Sequence, residues 1–110
     1  INIGAEESKS GVGPEDLWPL LDAAAAKEHL RVRGLMAIPP ADADETATRR
    51  FFAAMRELLA KAAARGYERA QMDVLSMGMS HDYVAAIEEG ATIVRVGTAI
   101  YGARDYSQKA

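Results

Sequence analysis

The sequence predicts an α/β domain with a parallel sheet, and three observations carry that prediction. Four short runs rich in Val, Ile, Leu and Met, at residues 1–3, 32–38, 72–77 and 92–96, are separated by helical patterns. The runs show little strict in/out alternation, as expected of parallel strands covered on both faces. Between the second and third runs lies a helical face of unusual clarity. The resulting order, β-α-β-α-β-α-β-α, implies right-handed crossovers. It describes half of a (β/α)8 barrel or a small open α/β sheet, and periodicity does not choose between them.

The first helix is expected to begin at Pro14, which suits a first-turn position, with Glu15 and Asp16 near the positive end of the dipole. Leu17, Leu20, Leu21, Ala24 and Ala25 form its apolar stripe, with Trp18 at the edge. In the second helix Ala47, Phe51, Phe52, Met55, Leu58, Leu59, Ala62 and Ala63 share a face. Asp42 and Glu45 resemble a capping box at its start, and Gly66 is a left-handed stop. Ser80 is placed to cap a third helix carrying Val84 and Ile87 and ending at Gly90. A short fourth helix follows Gly97 and runs to about Tyr106.

At 110 residues with 49% hydrophobic residues, the chain has the size and composition of one small soluble domain. A net charge of -3 argues against nonspecific nucleic-acid binding, which needs clustered Lys and Arg. No apolar run has the length of a membrane span and no signal peptide is visible, so a cytoplasmic location is expected. The absence of cysteine excludes disulfides, thiolate metal sites and cysteine nucleophiles. His29 and His81 are the only histidines, which disfavours a histidine-rich metal site. A strand beginning at residue 1 without an initiator methionine suggests a chain that continues upstream or was cut.

Ligand sites in parallel α/β folds lie beyond the carboxyl ends of the strands. After the third run comes Gly78-Met79-Ser80, and after the fourth Gly97-Thr98. If the strands are neighbours, these two turns converge. Each has an ordinary explanation, Ser80 as an N-cap and Gly97 as a tight turn. Together at adjacent strand ends they point to an anion, most often a phosphate. Arg95 shares a face with Ile93 and Gly97 in an otherwise apolar run, and a buried charge needs a partner. That partner is either a carboxylate on a neighbouring strand, with Asp73 one candidate, or a ring nitrogen or anionic group of a ligand.

Other residues carry less. Lys9 in Ser8-Lys-Ser-Gly11 lacks the glycine spacing of a Walker A loop and reads as a surface lysine. Met36, Met77 and Met79 could line a pocket, but methionine at strand positions is more often core filler. His81 falls in a first helical turn, where exposure and neutrality are expected.

Arg33-Gly-Leu-Met-Ala-Ile38, Leu75-Ser-Met-Gly-Met-Ser80 and the stretch from Val94 to Tyr106 resemble the pyridoxal-phosphate homeostasis protein family, the YggS/PROSC group. Asn2-Ile-Gly with Glu7-Ser-Lys-Ser-Gly11 fits the same family, and the motifs span nearly the whole chain in order. The resemblance implies a (β/α)8 barrel of the alanine racemase N-terminal-domain type that binds pyridoxal 5'-phosphate (PLP). It implies that Ser80, Gly97 and Thr98 hold the phosphate, with Gly78 and Met79 in the same turn, and that Arg95 faces the pyridine nitrogen. An arginine there keeps that nitrogen unprotonated and weakens the ring as an electron sink, which suits a carrier better than a transaminase.

One departure bears on mechanism. The family's Schiff-base lysine lies at the end of the first barrel strand, upstream of what Asn2 matches, and no residue here corresponds to it. Residues 1–110 thus resemble a single partial domain, the C-terminal half of the barrel, with four parallel strands. The expected function is non-catalytic PLP binding in vitamin B6 homeostasis. The alternatives are a racemase-like enzyme fragment, or a half-barrel inactive without its N-terminal half. The expected partners are PLP and that other half or a second copy, with neither nucleic acid nor membrane.

Overall fold

The computed structural model describes residues 1–103. A 3-10 turn at Pro14–Asp16 leads into α1 (Leu17–Ala25), followed by β1 (Val32–Met36), α2 (Glu45–Ala64), β2 (Ala70–Ser76), α3 (Tyr83–Glu88) and α4 (Thr98–Tyr101). The strands pair in parallel, with Gly34 opposite Val74, Leu35 opposite Leu75 and Met36 opposite Ser76. The long crossover through α2 lies against this pair, as the alternating pattern predicts.

Burial of the α2 face holds the unit together. Phe52, Met55, Leu58 and Ala62 pack against Leu35, Leu75 and Met77, while Leu17 and Leu21 of α1 and Ala85 and Ala86 of α3 close the ends of the core. Thr48 joins the buried seam, whereas Ala63 lies outside it in solvent. Asp44, not Asp42, caps α2: its carboxylate accepts from the Ala47 amide at 2.8 Å. Gly66 does stop the helix, at φ +71. In α3 the inward residues are Ala85 and Ala86, while the expected Val84 and Ile87 are more than half exposed.

The expected four strands become two strands and one bridge among the described residues. Residues 1–3 form no ladder. The Ile1 nitrogen reaches the Met36 carbonyl at 2.7 Å, but the Ile3 amide turns back to the Ile1 carbonyl and the Ala5 amide to Asn2. Three residues bent in this way cannot continue a sheet. Along residues 92–96, only Ile93 makes a bridge, parallel to Ser76. There the Thr92 and Ile93 amides both donate to the Leu75 carbonyl, which breaks the even spacing of a parallel ladder. The Met77 amide still donates to Ile93 and the Arg95 amide to Gly78, so the segment does lie beside the end of β2. The continuation of α4 expected as far as Tyr106 lies outside the described residues.

Between Val32 and Gly34 the register shifts, and on the facing strand Met72 has φ +48, in the left-handed region. An irregularity of this kind bends a strand and increases its local twist. Just beside it, Arg33 holds Asp73 in a bidentate pair at 2.8 and 3.0 Å on the exposed surface. The Asp73 pKa is lowered, chiefly by the hydrogen bonds from Arg33. A carboxylate lowered in the folded state contributes stability above its unfolded pKa and loses it as pH falls through the folded value. Urea unfolding of the native chain should therefore weaken below about pH 4 by more than in Asp73→Asn. Parallel pH profiles for the two proteins would mean that the pair has no part in acid stability.

Candidate functional site at the carboxyl ends of the strands

Chain direction sets the location. Both β1 and β2 run towards the turns that carry the candidate residues, and segment 92–96 runs beside them in the same sense. Residues 79–82 form a closed turn: the Asp82 amide donates to the Met79 carbonyl at 3.2 Å, and the Met79 amide donates to Asp82 Oδ1 at 2.7 Å. Asp82 is thus the residue that precedes α3, and Ser80 does not cap it. The Ser80 hydroxyl oxygen crosses instead to the other strand end, where it accepts from the Gly97 and Ala99 amides, both at 3.0 Å. The two turns expected to converge do so, through this side chain. With its acceptor capacity engaged, Ser80 keeps its one O–H to donate elsewhere. The Ser80 and His81 amides donate to no protein acceptor among the described residues.

A cleft of about 370 Å³ opens here, lined by Met79, Ser80, His81, Arg95, Gly97, Thr98, Tyr101 and Gly102. Among the described residues its lining includes a guanidinium and an imidazole but no carboxylate. Arg95 is half-buried, and its Nη2 donates to the Ala37 carbonyl at 3.1 Å. Its Nε is buried and has no hydrogen-bond partner among the described residues. Asp73, the carboxylate considered as its structural partner, is taken by Arg33. A buried N–H of a charged group left unpaired is costly, so the position favours an acceptor supplied from outside the described residues.

The glycines separate into two kinds. Gly78 is buried at φ +105, where a Cβ would meet Ala86 Cβ at 2.7 Å and Val94 Cγ1 at 3.2 Å. It therefore lets the turn pack on α3. Gly97 has φ -120, and a Cβ there would meet nothing within 4 Å. No turn geometry demands that glycine, and what its missing side chain leaves open is space in the cleft. Gly78→Ala should therefore destabilise the fold by about 2 kcal/mol, whereas Gly97→Ala should leave stability within about 0.5 kcal/mol. Equal urea midpoints for the two variants would contradict this division.

Lys9 departs from the surface reading. Its Nζ lies 3.4 Å from the Ile38 carbonyl, one residue beyond the carbonyl that receives Arg95, and 3.5 Å from Glu6 Oε1. The spacing of Ser8-Lys-Ser-Gly11 carries no sign of this, because the approach depends on how residues 1–12 fold back against β1. Met77 is fully buried core, as expected, while Met36 is exposed. Among the described residues no group of three or more His, Asp or Glu could hold a metal, and no helix is long and apolar enough to cross a membrane.

Residues 1–105 match the family described as alanine racemase, N-terminal domain. The chain belongs to that family. Two curated proteins named pyridoxal phosphate homeostasis protein match it closely. The one from Pseudomonas aeruginosa is 50% identical over 110 residues, which is all of this chain and 45% of that protein. The one from Escherichia coli K12 is 48% identical over 109 residues, covering 99% of this chain and 45% of that protein. Among solved structures, PipY of Synechococcus elongatus with PLP bound has a TM-score of 0.78 at 35% identity, covering 86% of this chain and 44% of that one. PipY without PLP gives 0.81 at 35% identity, covering 88% and 45%. The resemblance seen in the motifs is thereby borne out, and the α/β barrel family with it. The chain spans a little under half the length of the curated relatives it matches.

Proposed function

We propose that this chain supplies the phosphate-binding and ring-facing wall of a PLP site, in a protein that holds the cofactor for B6 homeostasis rather than turning over a substrate with it. The observation that carries the reading is the buried Arg95 Nε, which has no partner among the described residues, beside a cleft that none of their carboxylates lines. The name of the curated relatives and the PLP-bound PipY structure support it.

The residues fit the group. The Ser80 O–H, the Thr98 hydroxyl and the open amides of Ser80 and His81 can donate to phosphate oxygens, and the space beside Gly97 admits them. Arg95 can donate to the pyridine nitrogen, and its permanent charge keeps that nitrogen unprotonated. PLP, when bound, supplies an aldehyde and an electron-withdrawing ring; this environment weakens the ring's withdrawal and suits storage. Ser80 also acts as a tie between residues 80, 97 and 99, which fixes the distance between the phosphate donors and Arg95.

We read the segment as the C-terminal half of a barrel, closed by the N-terminal half of the same barrel or by a second copy. An apolar cleft of about 410 Å³ between α1 and β1, with Leu20 and Met36 about half exposed at its rim, supports a further element on that side. The competing racemase-like reading makes a different prediction. Incubated with PLP and L-alanine, the chain should produce no D-alanine above the PLP-only control. Enantiomer analysis showing enzyme-dependent racemisation would replace the carrier reading with the catalytic one.

A further inference from the structure

Resting on the phosphate-site reading, we infer that His81 is a pH-dependent positioning residue for the anion, so that the cleft holds a phosphate group more tightly as this imidazole takes up a proton. His81 lines the anion cleft beside Ser80, Arg95, Gly97 and Thr98. It also lines a second cleft of about 360 Å³ on the other side of Ser80, with Glu45, Thr48 and Arg49 of α2. The imidazole is exposed, and the turn that carries it is not loose. Residues 79–82 are closed by the Asp82-to-Met79 and Met79-to-Asp82 bonds, and Ser80 is anchored to Gly97 and Ala99.

The charges around His81 are unevenly placed. Asp82 Oδ2 lies 3.4 Å from His81 Nε2, within its own turn. Across the second cleft stand Glu45 and Arg49 of α2, and Arg49 is occupied by Glu45 at 3.3 Å and Glu88 at 3.4 Å. Tyr83 of α3 adjoins that side. On the anion side stand Arg95, always charged, and Tyr101 of α4. Among the described residues, Asp82 and Glu45 line the second cleft and no carboxylate lines the anion cleft. Among the described residues, a dianion entering that cleft meets the Arg95 guanidinium and the His81 imidazole. Histidine is the side chain whose charge ordinarily changes between pH 5 and 8. Protonation of His81 and binding of the anion then favour each other by the same factor. For a solvent-exposed charge pair that factor is modest, about threefold or somewhat more. An anion of fixed charge would thus be held less tightly in the cleft as pH rises.

Inorganic sulfate tests this cleanly, because it stays a dianion across the range while phosphate esters do not. The native chain, His81→Asn and His81→Lys are titrated with sulfate at pH 5.5 and 8.0, following the backbone amides of Ser80, Gly97 and Thr98 by NMR. The expected result is native binding about threefold tighter at pH 5.5, weak and pH-independent binding in H81N, and tight, pH-independent binding in H81K. The other histidine, His29, lines a cleft with Arg31 and Arg69 beside the amino ends of the strands and is common to all three proteins. A native pH ratio that persists in H81N, or is absent from the native chain, overturns the role of His81 and leaves the anion cleft standing. No response of these amides to sulfate at either pH overturns both.

Discussion

Gly34→Ala should cost this fold about 3 kcal/mol or more, enough to unfold a domain of this size. A Cβ at position 34 would overlap the Val74 carbonyl oxygen, stand 2.5 Å from its carbon and 2.8 Å from Val74 Cβ. The obstacle is backbone of the paired strand, which no rotamer change relieves. The two strands approach this closely where the register shifts and Met72 takes φ +48. Moving them apart would disturb the pairs Leu35–Leu75 and Met36–Ser76 that follow, and with them the surface on which α2 packs. Denaturation of the variant and native chains by urea measures the difference. A midpoint within error of the native one would mean that the strands separate at little cost and that the observed closeness is not required.

Arg95→Ala should have the opposite profile: a large effect on ligand and little on stability. Among the described residues the side chain makes one hydrogen bond, to the Ala37 carbonyl at 3.1 Å, while Nε is buried and unsatisfied. Losing a modest bond and relieving a desolvated donor nearly offset each other, so stability should change by less than about 1 kcal/mol. A hydrogen bond from a charged group to a ligand contributes roughly 1.5–3 kcal/mol, which predicts a loss of PLP affinity of about 10-fold or more. The absorbance of bound PLP should change too, because the ring nitrogen loses its donor. Unchanged affinity and spectrum would remove Arg95 from the site.

How much of the fold and site was legible in the sequence follows from what each feature depends on. The α2 face could be read because Phe52, Met55, Leu58 and Ala62 repeat along one element, and helical periodicity is local. Segments 1–3 and 92–96 misled because Ile and Val runs signal an extended, buried chain but not a ladder. Pairing depends on bends such as that at Ile3 and on the shared Leu75 acceptor, and neither has a local signature. Ser80, Gly97 and Thr98 stand after apolar runs and Arg95 within one, and the cleft brings all four together with Met79. Their roles shifted. Ser80 bonds across the strand ends rather than capping a helix, and Gly78 serves packing, because both outcomes depend on segments distant in sequence. His81 carried no motif at all. Its interest comes from the clefts on either side of it.

Titration of the chain with PLP, and separately with pyridoxal, which lacks the phosphate, would decide whether the cleft between the two strand ends is a phosphate site. Backbone amides report the position of each ligand. If the phosphate sits there, PLP shifts Ser80, His81, Gly97 and Thr98 together with Arg95, and pyridoxal leaves the first four nearly unmoved. Shifts confined to residues around Lys9, or identical responses to the two compounds, would contradict it, because that cleft would then not be what holds the phosphate.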